Sequence, residues 1–231
     1  NRMTQMESNS RYADKDYWET RFEKEDHYEW LAGFDSYKDV LLKYIQPDQR
    51  ILHIGCGSSD LSMRLYDMGY TKITNVDYSE NLISSRRQSH PSMEWICDDI
   101  TSLSSINDSS FDVVLEKATI EALLVKEKSS WTPSRSALCT LDSVWSSINR
   151  VLTPSGFFLS ISFTQPHFRV PALLRNPGWN VQIDEFGEYF HFFVYICKKG
   201  EVDEEMKERY SRVAPDWLRN TMNEEEEKND L

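Results

Sequence analysis

The chain has 231 residues and a formal net charge of −12 at neutral pH, and hydrophobic residues make up 39% of it. This is enough apolar material for the core of one α/β domain, and it excludes a chain that is disordered throughout. Because the acidic balance leaves no basic stripe to displace counterions from a phosphate backbone, nucleic acid is not an expected partner.

The N-terminal segment is polar but rich in aromatic side chains. Its first 30 residues carry six of them: Tyr12, Tyr17, Trp18, Phe22, Tyr28 and Trp30. A free arm rarely contains so many rings, so we expect residues 1–34 to pack on the rest of the protein as a flap. Residues 35–45 have apolar side chains at helical spacing and predict the first helix of the main domain.

From about residue 50 onward, apolar strand candidates alternate with helical stretches. The strand candidates are 50–54, 72–76, 93–97, 111–116 and 157–163, and the helical stretches lie near 59–68, 79–88, 119–126 and 139–152. This alternation predicts a parallel sheet covered by helices on both faces. A turn at Pro154-Ser155-Gly156 is expected to lead into the fifth strand. Two further candidates, 180–186 and 189–198, flank Gly187-Glu188 and predict an antiparallel hairpin.

The first strand candidate runs into Gly55-Cys56-Gly57, and a helix candidate follows. Glycines at a strand-to-helix turn allow a nucleotide to approach the backbone closely. A complete dinucleotide fingerprint would have a third glycine at position 60, where this chain has Asp60, so a nicotinamide dinucleotide is less favoured. The Gly-x-Gly pair is weak evidence by itself, because such turns also occur for steric reasons.

Acidic residues stand at the ends of the next two strand candidates. Asp77 follows Gly57 by twenty residues and can accept hydrogen bonds from both hydroxyls of a ribose. Asp99 could accept from an adenine amino group while Ile100 lies against the ring. Each acid also has a structural alternative, because Asp77 could cap the following helix and Asp99 could cap a loop.

The order and spacing of these features resemble the class I S-adenosylmethionine-dependent methyltransferases over about residues 50–198. The resemblance implies a Rossmann-like α/β fold with a seven-stranded sheet of order 3-2-1-4-5-7-6, in which strand 7 is antiparallel. Several segments look more closely like the lysine methyltransferases that act on elongation factor 1-alpha: Tyr17-Trp18, Tyr28-Glu29-Trp30, Asp77-Tyr78-Ser79, 111–119, Trp131-Thr132 and 166–169. This closer resemblance covers about residues 12–200 and implies a protein substrate, elongation factor 1-alpha.

The resemblance also implies a site for S-adenosyl-L-methionine and its product S-adenosyl-L-homocysteine. The matching cofactor positions are Gly55, Gly57, Asp77, Tyr78, Asp99, Ile100 and Lys117. The rings of Trp18, Phe22 and Trp30 would form a flap over the ligand, with Phe22 in place of a tyrosine of the family pattern.

Other residues are candidates for the methyl acceptor's side of the site. Glu116 and Glu121 are the acids expected near the incoming lysine, which they would orient and whose proton they would receive. Glu121 could equally be a surface residue of a helix. His167 and Arg169 follow the fifth strand, where substrate loops of this fold usually lie, and a purely structural loop is an equal alternative.

Two other functions fit the same sequence. A non-catalytic scaffold would bind the cofactor and recruit a partner without turnover. A small-molecule methyltransferase would have a deep closed pocket and would label metabolites rather than a protein.

The remaining expectations concern domains, metals and location. Residues 201–231 hold 11 acidic and 5 basic side chains, so we expect an acidic tail after a flap over 1–34 and a methyltransferase domain over 35–200. The acidic runs 201–208 and 224–227 would be solvated.

No CxxC pair and no histidine pair at metal spacing is present, so no metal is expected. His53 in the first strand is expected to be a core residue. No apolar run reaches the roughly 18–20 residues of a membrane span, so no membrane partner is expected, and we expect a cytoplasmic protein.

Overall fold

A seven-stranded sheet lies at the centre of the computed structural model, which describes residues 10–24, 27–200 and 203–219. Its strands are β1 (Ile51–Ile54), β2 (Ile73–Asp77), β3 (Glu94–Cys97), β4 (Phe111–Lys117), β5 (Leu152–Ser162), β6 (Trp179–Phe186) and β7 (Phe192–Lys199). Their order is β3-β2-β1-β4-β5-β7-β6. The first five strands pair in parallel, and β7 is antiparallel to both of its neighbours. The expected fold class and strand order are confirmed.

Helices cover both faces of the sheet. They are α1 (Lys15–Phe22), α2 (Phe34–Leu41), α3 (Leu61–Asp67), α4 (Glu80–Ser89), α5 (Thr119–Leu124), α6 (Arg135–Val151), α7 (Pro166–Leu173) and α8 (Glu204–Val213). Residues of α6, α7 and α8 share one core cluster with the sheet, and residues of α2 and α3 share another. Every residue of β1 and β2 is buried, as expected for central strands covered on both faces.

The two ends of α6 differ from the sequence-based expectation for 139–152. The helix begins four residues earlier, because the Ser134 hydroxyl accepts a hydrogen bond from the N–H of Ala137 at 3.1 Å and caps it. At its other end the chain enters β5 directly at Leu152. The expected turn at Pro154-Ser155-Gly156 was wrong. These residues lie inside β5, in a bulge where the pairing with β4 shifts register.

The second hairpin strand, expected at 189–198, starts three residues later, at Phe192. The connection after β6 therefore spans residues 187–191, and all five residues are exposed. Tyr189 and Phe190 lie in this loop rather than in the strand.

The C-terminal region packs on the α6 and α7 side of the sheet. Tyr210 in α8 and Trp217 in a short 3₁₀ turn over Pro215–Leu218 are both buried. The guanidinium of Arg175 donates to the carbonyl oxygens of Trp217 and Arg219, at 2.6 and 2.8 Å, and also binds Asp142. Residues 203–219 are thus held against the body. Residues 220–231, with the acidic run 224–227, lie outside the described residues, and the three-part division of the chain stays a prediction. Within the described ranges, no helix is both long and apolar enough to cross a membrane.

Candidate functional site

The turn after β1 is built from two glycines with left-handed backbone conformations. Gly55 has φ +58° and Gly57 has φ +51°. A Cβ on Gly55 would lie 2.3 Å from the hydroxyl oxygen of Thr119, so no side chain fits there. A Cβ on Gly57 would have one neighbour within 4 Å, the ring of Phe22 at 3.9 Å. The backbone at Gly57 therefore faces room that a ligand can share with a side chain of the N-terminal segment.

Asp77 ties the end of β2 to this turn. Its carboxylate accepts hydrogen bonds from the N–H of Gly57 at 3.0 Å and from the N–H of Ser79 at 3.1 Å. The hydroxyl of Ser79 caps α4, so Asp77 does not serve as the helix cap. Burial raises the pKa of Asp77 to about 6, although the backbone hydrogen bonds oppose the shift. A carboxylate has about four lone-pair sites, so these backbone hydrogen bonds leave room for a further donor, which fits the expected ribose.

The other residues expected to contact the cofactor have structural partners. The carboxylate of Asp99 accepts from the N–H and the hydroxyl of Thr101, each at 2.8 Å, so it caps its own loop. Ile100 is 8% exposed and belongs to the main core cluster. Tyr78 is half-buried, with the ammonium of Lys15 5.9 Å from its ring centre. Cofactor roles for these three residues stay predictions.

The N-terminal segment lies across the carboxyl ends of the first strands, and we call its residues 11–24 and 27–33 the lid. Phe22 packs on Gly57, and Trp18 stacks on Phe22 with 5.5 Å between ring centres. Glu19 accepts from the Ser79 hydroxyl at 2.8 Å and from the Glu80 N–H at 2.9 Å, at the start of α4. Burial raises the pKa of Glu19, but these hydrogen bonds outweigh it and lower the pKa overall. The described part of the aromatic segment therefore packs on the body, whereas residues 1–9, 25 and 26 of the expected flap lie outside the described residues.

Lys117, at the end of β4, holds the second part of the lid. Its ammonium lies 2.6 Å from the carboxylate of Glu29 and donates to the carbonyl of Trp30 at 2.8 Å. Glu29 also accepts from the N–H of Asp60 at 2.7 Å and from the hydroxyl of Ser59 at 2.9 Å. Desolvation lowers the pKa of Lys117, although the charge of Glu29 opposes the change. The pairing of Glu29 with Lys117 was not predicted from the sequence. The signal that could have indicated it is the position of an acid between two aromatic residues, Tyr28 and Trp30.

Ligand atoms of His27, Glu29 and Asp60 come within 4.8 Å of one another, a grouping that a metal ion could use among the described residues. Both oxygens of Glu29 already accept hydrogen bonds, and the ammonium of Lys117 balances its charge. We therefore assign no metal to this group.

The carboxyl ends of β4 and β5, together with α5 and α7, carry a buried charged cluster. Glu116 is fully buried and accepts from the Ser160 hydroxyl and from the Thr119 N–H, the latter at 2.8 Å. Burial, followed by the nearby charge of Glu121, raises the pKa of Glu116 to about 7. Glu121 pairs with the guanidinium of Arg169 and accepts from the hydroxyl of Thr164 at 2.9 Å. The charge of Glu121 thus acts on Glu116, and the expected roles of both acids toward an incoming lysine stay predictions.

Arg169 lies inside this cluster rather than at the surface. It is 2% exposed, and its Nε and Nη1 atoms have no hydrogen-bond partner among the described residues. The Oε2 atom of Glu121 is also buried and unpartnered within the described part of the chain. Two carboxylates and one guanidinium leave an excess of one negative charge when both acids are ionised. The cluster can therefore accept one further cation or one proton.

His167, the other candidate for substrate contact, is half-buried beside the cluster. Its ring stacks on Trp131 at 5.7 Å and packs against Phe168 at 4.1 Å. Trp131 is 52% exposed, so these rings form a partly open surface. A role in substrate contact stays a prediction. His53, by contrast, is a core residue as expected, with its Nδ1 atom 2.7 Å from the hydroxyl oxygen of Ser62. Burial lowers the pKa of His53 to about 3.

The chain resembles known proteins over most of its length. Residues 52–160 match a family model described as a methyltransferase domain. The chain is 35% identical to EEF1A lysine methyltransferase 4 of Bos taurus over 84% of this chain and 79% of that protein. It is 36% identical to the Mus musculus protein of the same name, over 84% of this chain and 78% of that protein. It is 34% identical to the Homo sapiens eEF1A lysine and N-terminal methyltransferase, over 77% of this chain and 26% of that protein.

Solved structures of low sequence identity share the fold. A SAM-dependent methyltransferase from Aquifex aeolicus superposes with a TM-score of 0.55 at 17% identity, over 78% of this chain and 98% of that chain. One from Methanosarcina mazei gives a TM-score of 0.52 at 20% identity, over 70% of this chain and 97% of that chain. These likenesses concern the fold alone.

Proposed function

The chain belongs to the EEF1A lysine methyltransferase family of S-adenosylmethionine-dependent methyltransferases, and from that premise we propose that it methylates a lysine side chain of elongation factor 1-alpha. The observation that carries the lysine assignment is the buried cluster of Glu116, Glu121 and Arg169, which has an unpartnered carboxylate oxygen and, when both acids are ionised, an excess of one negative charge. The two alternatives, a scaffold and a small-molecule methyltransferase, are not favoured because these relatives are named as lysine methyltransferases.

We assign the cofactor S-adenosyl-L-methionine to the carboxyl ends of β1 and β2. The open backbone at Gly57 and the buried carboxylate of Asp77 fit an adenosyl group with its ribose. When bound, the cofactor supplies an electrophilic methyl group on a sulfonium. The lid lies over this edge, with Phe22 on Gly57, and in this position it would exclude water from the site.

The lysine must lose a proton before its nitrogen can attack. A free lysine amine has a pKa of about 10.4, so its neutral form costs about 4–5 kcal/mol near pH 7. Desolvation at a partly buried site lowers this cost, because it disfavours the charged form. The electrostatic excess of the cluster first attracts the ammonium, and a carboxylate then accepts its proton. The N–H bond of the lysine breaks and an O–H bond forms on the acid pair. The freed electron pair would then take up the methyl group that the bound sulfonium supplies, with the carbon–sulfur bond breaking as the N–C bond forms and S-adenosyl-L-homocysteine leaving as a neutral thioether.

The structure suggests different roles for the two acids. The side chain of Glu121 is 11% exposed and carries the unpartnered Oε2 atom, so we assign it to hold the incoming amine. Glu116 has no exposed surface, so we do not assign it to contact the amine directly. We treat proton uptake as a property of the coupled pair, since two interacting acids titrate together. Arg169 then acts as a positioning residue, because its guanidinium fixes the carboxylate of Glu121.

The test uses purified protein, elongation factor 1-alpha and cofactor labelled in its methyl group, with mass spectrometry of the products. We expect one or more lysines of the factor to gain methyl groups. Glu121→Gln should reduce turnover at least tenfold with little change in cofactor affinity, because it removes an interaction with the reacting amine. Glu205→Gln, at an exposed acid of α8, is the matched control and should leave the rate unchanged. If another protein or a metabolite is labelled while the factor is not, the substrate assignment is wrong.

A further inference from the structure

The loop between β6 and β7 presents two large rings to solvent. Tyr189 is 97% exposed and Phe190 is 60% exposed, which makes them the most exposed large hydrophobic side chains in the described part of the chain. Single exposed rings are common on protein surfaces, whereas adjacent ones at a functional edge are typical of an interaction surface.

The position of this loop follows from the strand pairing. β7 runs antiparallel to β5, and Ser162, the last residue of β5, pairs near the start of β7. The loop 187–191 therefore lies at the carboxyl edge of β5, beside the end of the strand whose Ser162 hydroxyl donates to Glu121. At about 3.4 Å per residue, its rings lie within roughly 15 Å of that hydroxyl. Phe163, which is 47% exposed, extends β5 at the same edge.

The loop has a defined shape. Gly187 has φ +105°, and a Cβ on it would lie 2.2 Å from the carbonyl oxygen of Phe190, so the backbone folds tightly over that position. The ring of Phe190 packs against Phe192 at 5.1 Å, and Phe192 stacks on the buried Phe186 at 5.2 Å. A surface that is ordered before binding loses less conformational entropy when a partner docks.

The loop and the adjoining strand ends carry more acidic than basic side chains, although Lys43 pairs with Asp184 of β6 at 3.0 Å. Glu185 and Glu188 are exposed, and residues 181–197 contain no lysine or arginine. Aromatic faces flanked by carboxylates attract ammonium and guanidinium groups. The cluster of Glu116, Glu121 and Arg169 also has an excess negative charge when both acids are ionised, so a basic segment would meet complementary charge at the loop and at the cluster.

We propose that the loop 187–191 together with Phe163, the aromatic loop surface, docks a basic segment of the protein substrate that flanks the target lysine. This inference rests on the proposed function, because it assumes that the methyl acceptor is a lysine on a protein. It adds a binding surface outside the buried cluster and names the chemistry of its partner.

The test compares the Tyr189→Ala/Phe190→Ala double variant with the wild-type protein. We expect KM for elongation factor 1-alpha to rise about tenfold or more, as for the loss of aromatic anchors at an interface. The affinity for the cofactor and the thermal midpoint should stay unchanged, because both rings are exposed and lie away from Asp77. A second measurement uses a fluorescent oligolysine peptide. Its binding to the double variant should weaken, and its binding to both proteins should fall with rising salt, because Glu185 and Glu188 are present in both.

Met68→Ala/Val213→Ala is the matched control. These side chains are 44% and 42% exposed, and they lie at the end of α3 and at the end of α8, away from the carboxyl edge. The control removes two exposed apolar side chains and should change neither KM nor peptide affinity.

The outcomes separate the two claims. If the wild type does not methylate elongation factor 1-alpha, the proposed function is wrong, and the peptide measurement alone decides the docking surface. Equal KM and equal peptide affinity in wild type and double variant would overturn the docking proposal while the function stands. A change of oligomeric state in the double variant would overturn it too, since the loop would then contact a second copy of this chain.

Discussion

The ammonium of Lys117 lies 2.6 Å from the carboxylate of Glu29 and joins the end of β4 to the lid. The Lys117 side chain is 2% exposed and that of Glu29 is 16% exposed, so the pair is largely withdrawn from water. Breaking such a pair leaves a buried charge without compensation, which is far more costly than losing an ion pair at the surface.

Glu29→Gln should therefore loosen the lid. We expect the free energy that favours the closed lid over the open one to fall by about 2–3 kcal/mol. This is somewhat less than for a fully buried pair, because Glu29 is partly exposed. Amide hydrogen exchange over α1 should become faster, and cofactor affinity should fall. Lys126→Gln is the matched control, since it removes the lid's exposed ion pair to Asp14 and should have an effect below about 0.5 kcal/mol. Equal exchange in both variants would contradict the role of Glu29.

Asp77→Ala should weaken cofactor binding by about 1–3 kcal/mol, the cost of losing hydrogen bonds to a charged group. The expected reason is that Asp77 accepts the ribose hydroxyls at the end of β2. Calorimetric titration of S-adenosyl-L-homocysteine measures the change directly. Asp67→Ala, at an exposed acid that ends α3, should bind with wild-type affinity. Wild-type affinity in the Asp77 variant would refute the cofactor assignment.

The pKa of Glu116, raised to about 7, predicts two effects of pH. Turnover should increase as pH rises through 7, because the acid pair accepts a proton only when it is ionised. Stability should change in the opposite direction. A carboxyl whose pKa is raised on folding stabilises the protein fully below its unfolded value of about 4.3, and this contribution is lost as pH rises through 7.

Glu116→Gln separates these effects. The amide can retain partners at Ser160 and Thr119, so the variant should fold, and it should turn over far more slowly. Its free energy of unfolding should exceed that of the wild type at pH 8 by on the order of 3–4 kcal/mol, with little difference at pH 4. Urea unfolding at the two pH values measures this. An unchanged pH dependence in the variant would show that Glu116 is not the group responsible.

Trp217→Ala tests whether the C-terminal region belongs to the folded body. Trp217 is 4% exposed, and its indole N–H donates to the carbonyl of Ser130 at 2.8 Å. Truncation of a buried tryptophan typically costs about 3–5 kcal/mol. We expect denaturant unfolding to show this decrease in the free energy of unfolding. Amide hydrogen exchange should also become faster in the loop that carries Trp131. Val213→Ala, at an exposed position of α8, should change stability by less than about 0.5 kcal/mol.

Much of the fold followed from the sequence because burial leaves a local pattern. The apolar runs around Leu52, Val76 and Val114 marked central strands, and the glycine turn at Gly55-Cys56-Gly57 marked the edge where the site lies. Resemblance to a family then supplied the strand order. The predicted ends of strands and helices were less accurate where residues typical of a turn are held in a sheet by pairing with a distant strand. At Pro154-Ser155-Gly156 the sequence favours a turn, but β5 contains these residues as a bulge against β4.

The sequence by itself determined the layered fold, the family and the identity of the acids at the strand ends. Only the tertiary structure decided what those groups contact. Lys117 meets Glu29 from 88 positions away, and Arg169 turns inward to Glu121 from 48 positions away. The tertiary structure also decided that Tyr189 and Phe190 lie in an exposed loop rather than in a strand. The physical reason is that periodicity reports which side of an element is buried, whereas ion pairs and exposed rings depend on which elements meet in space.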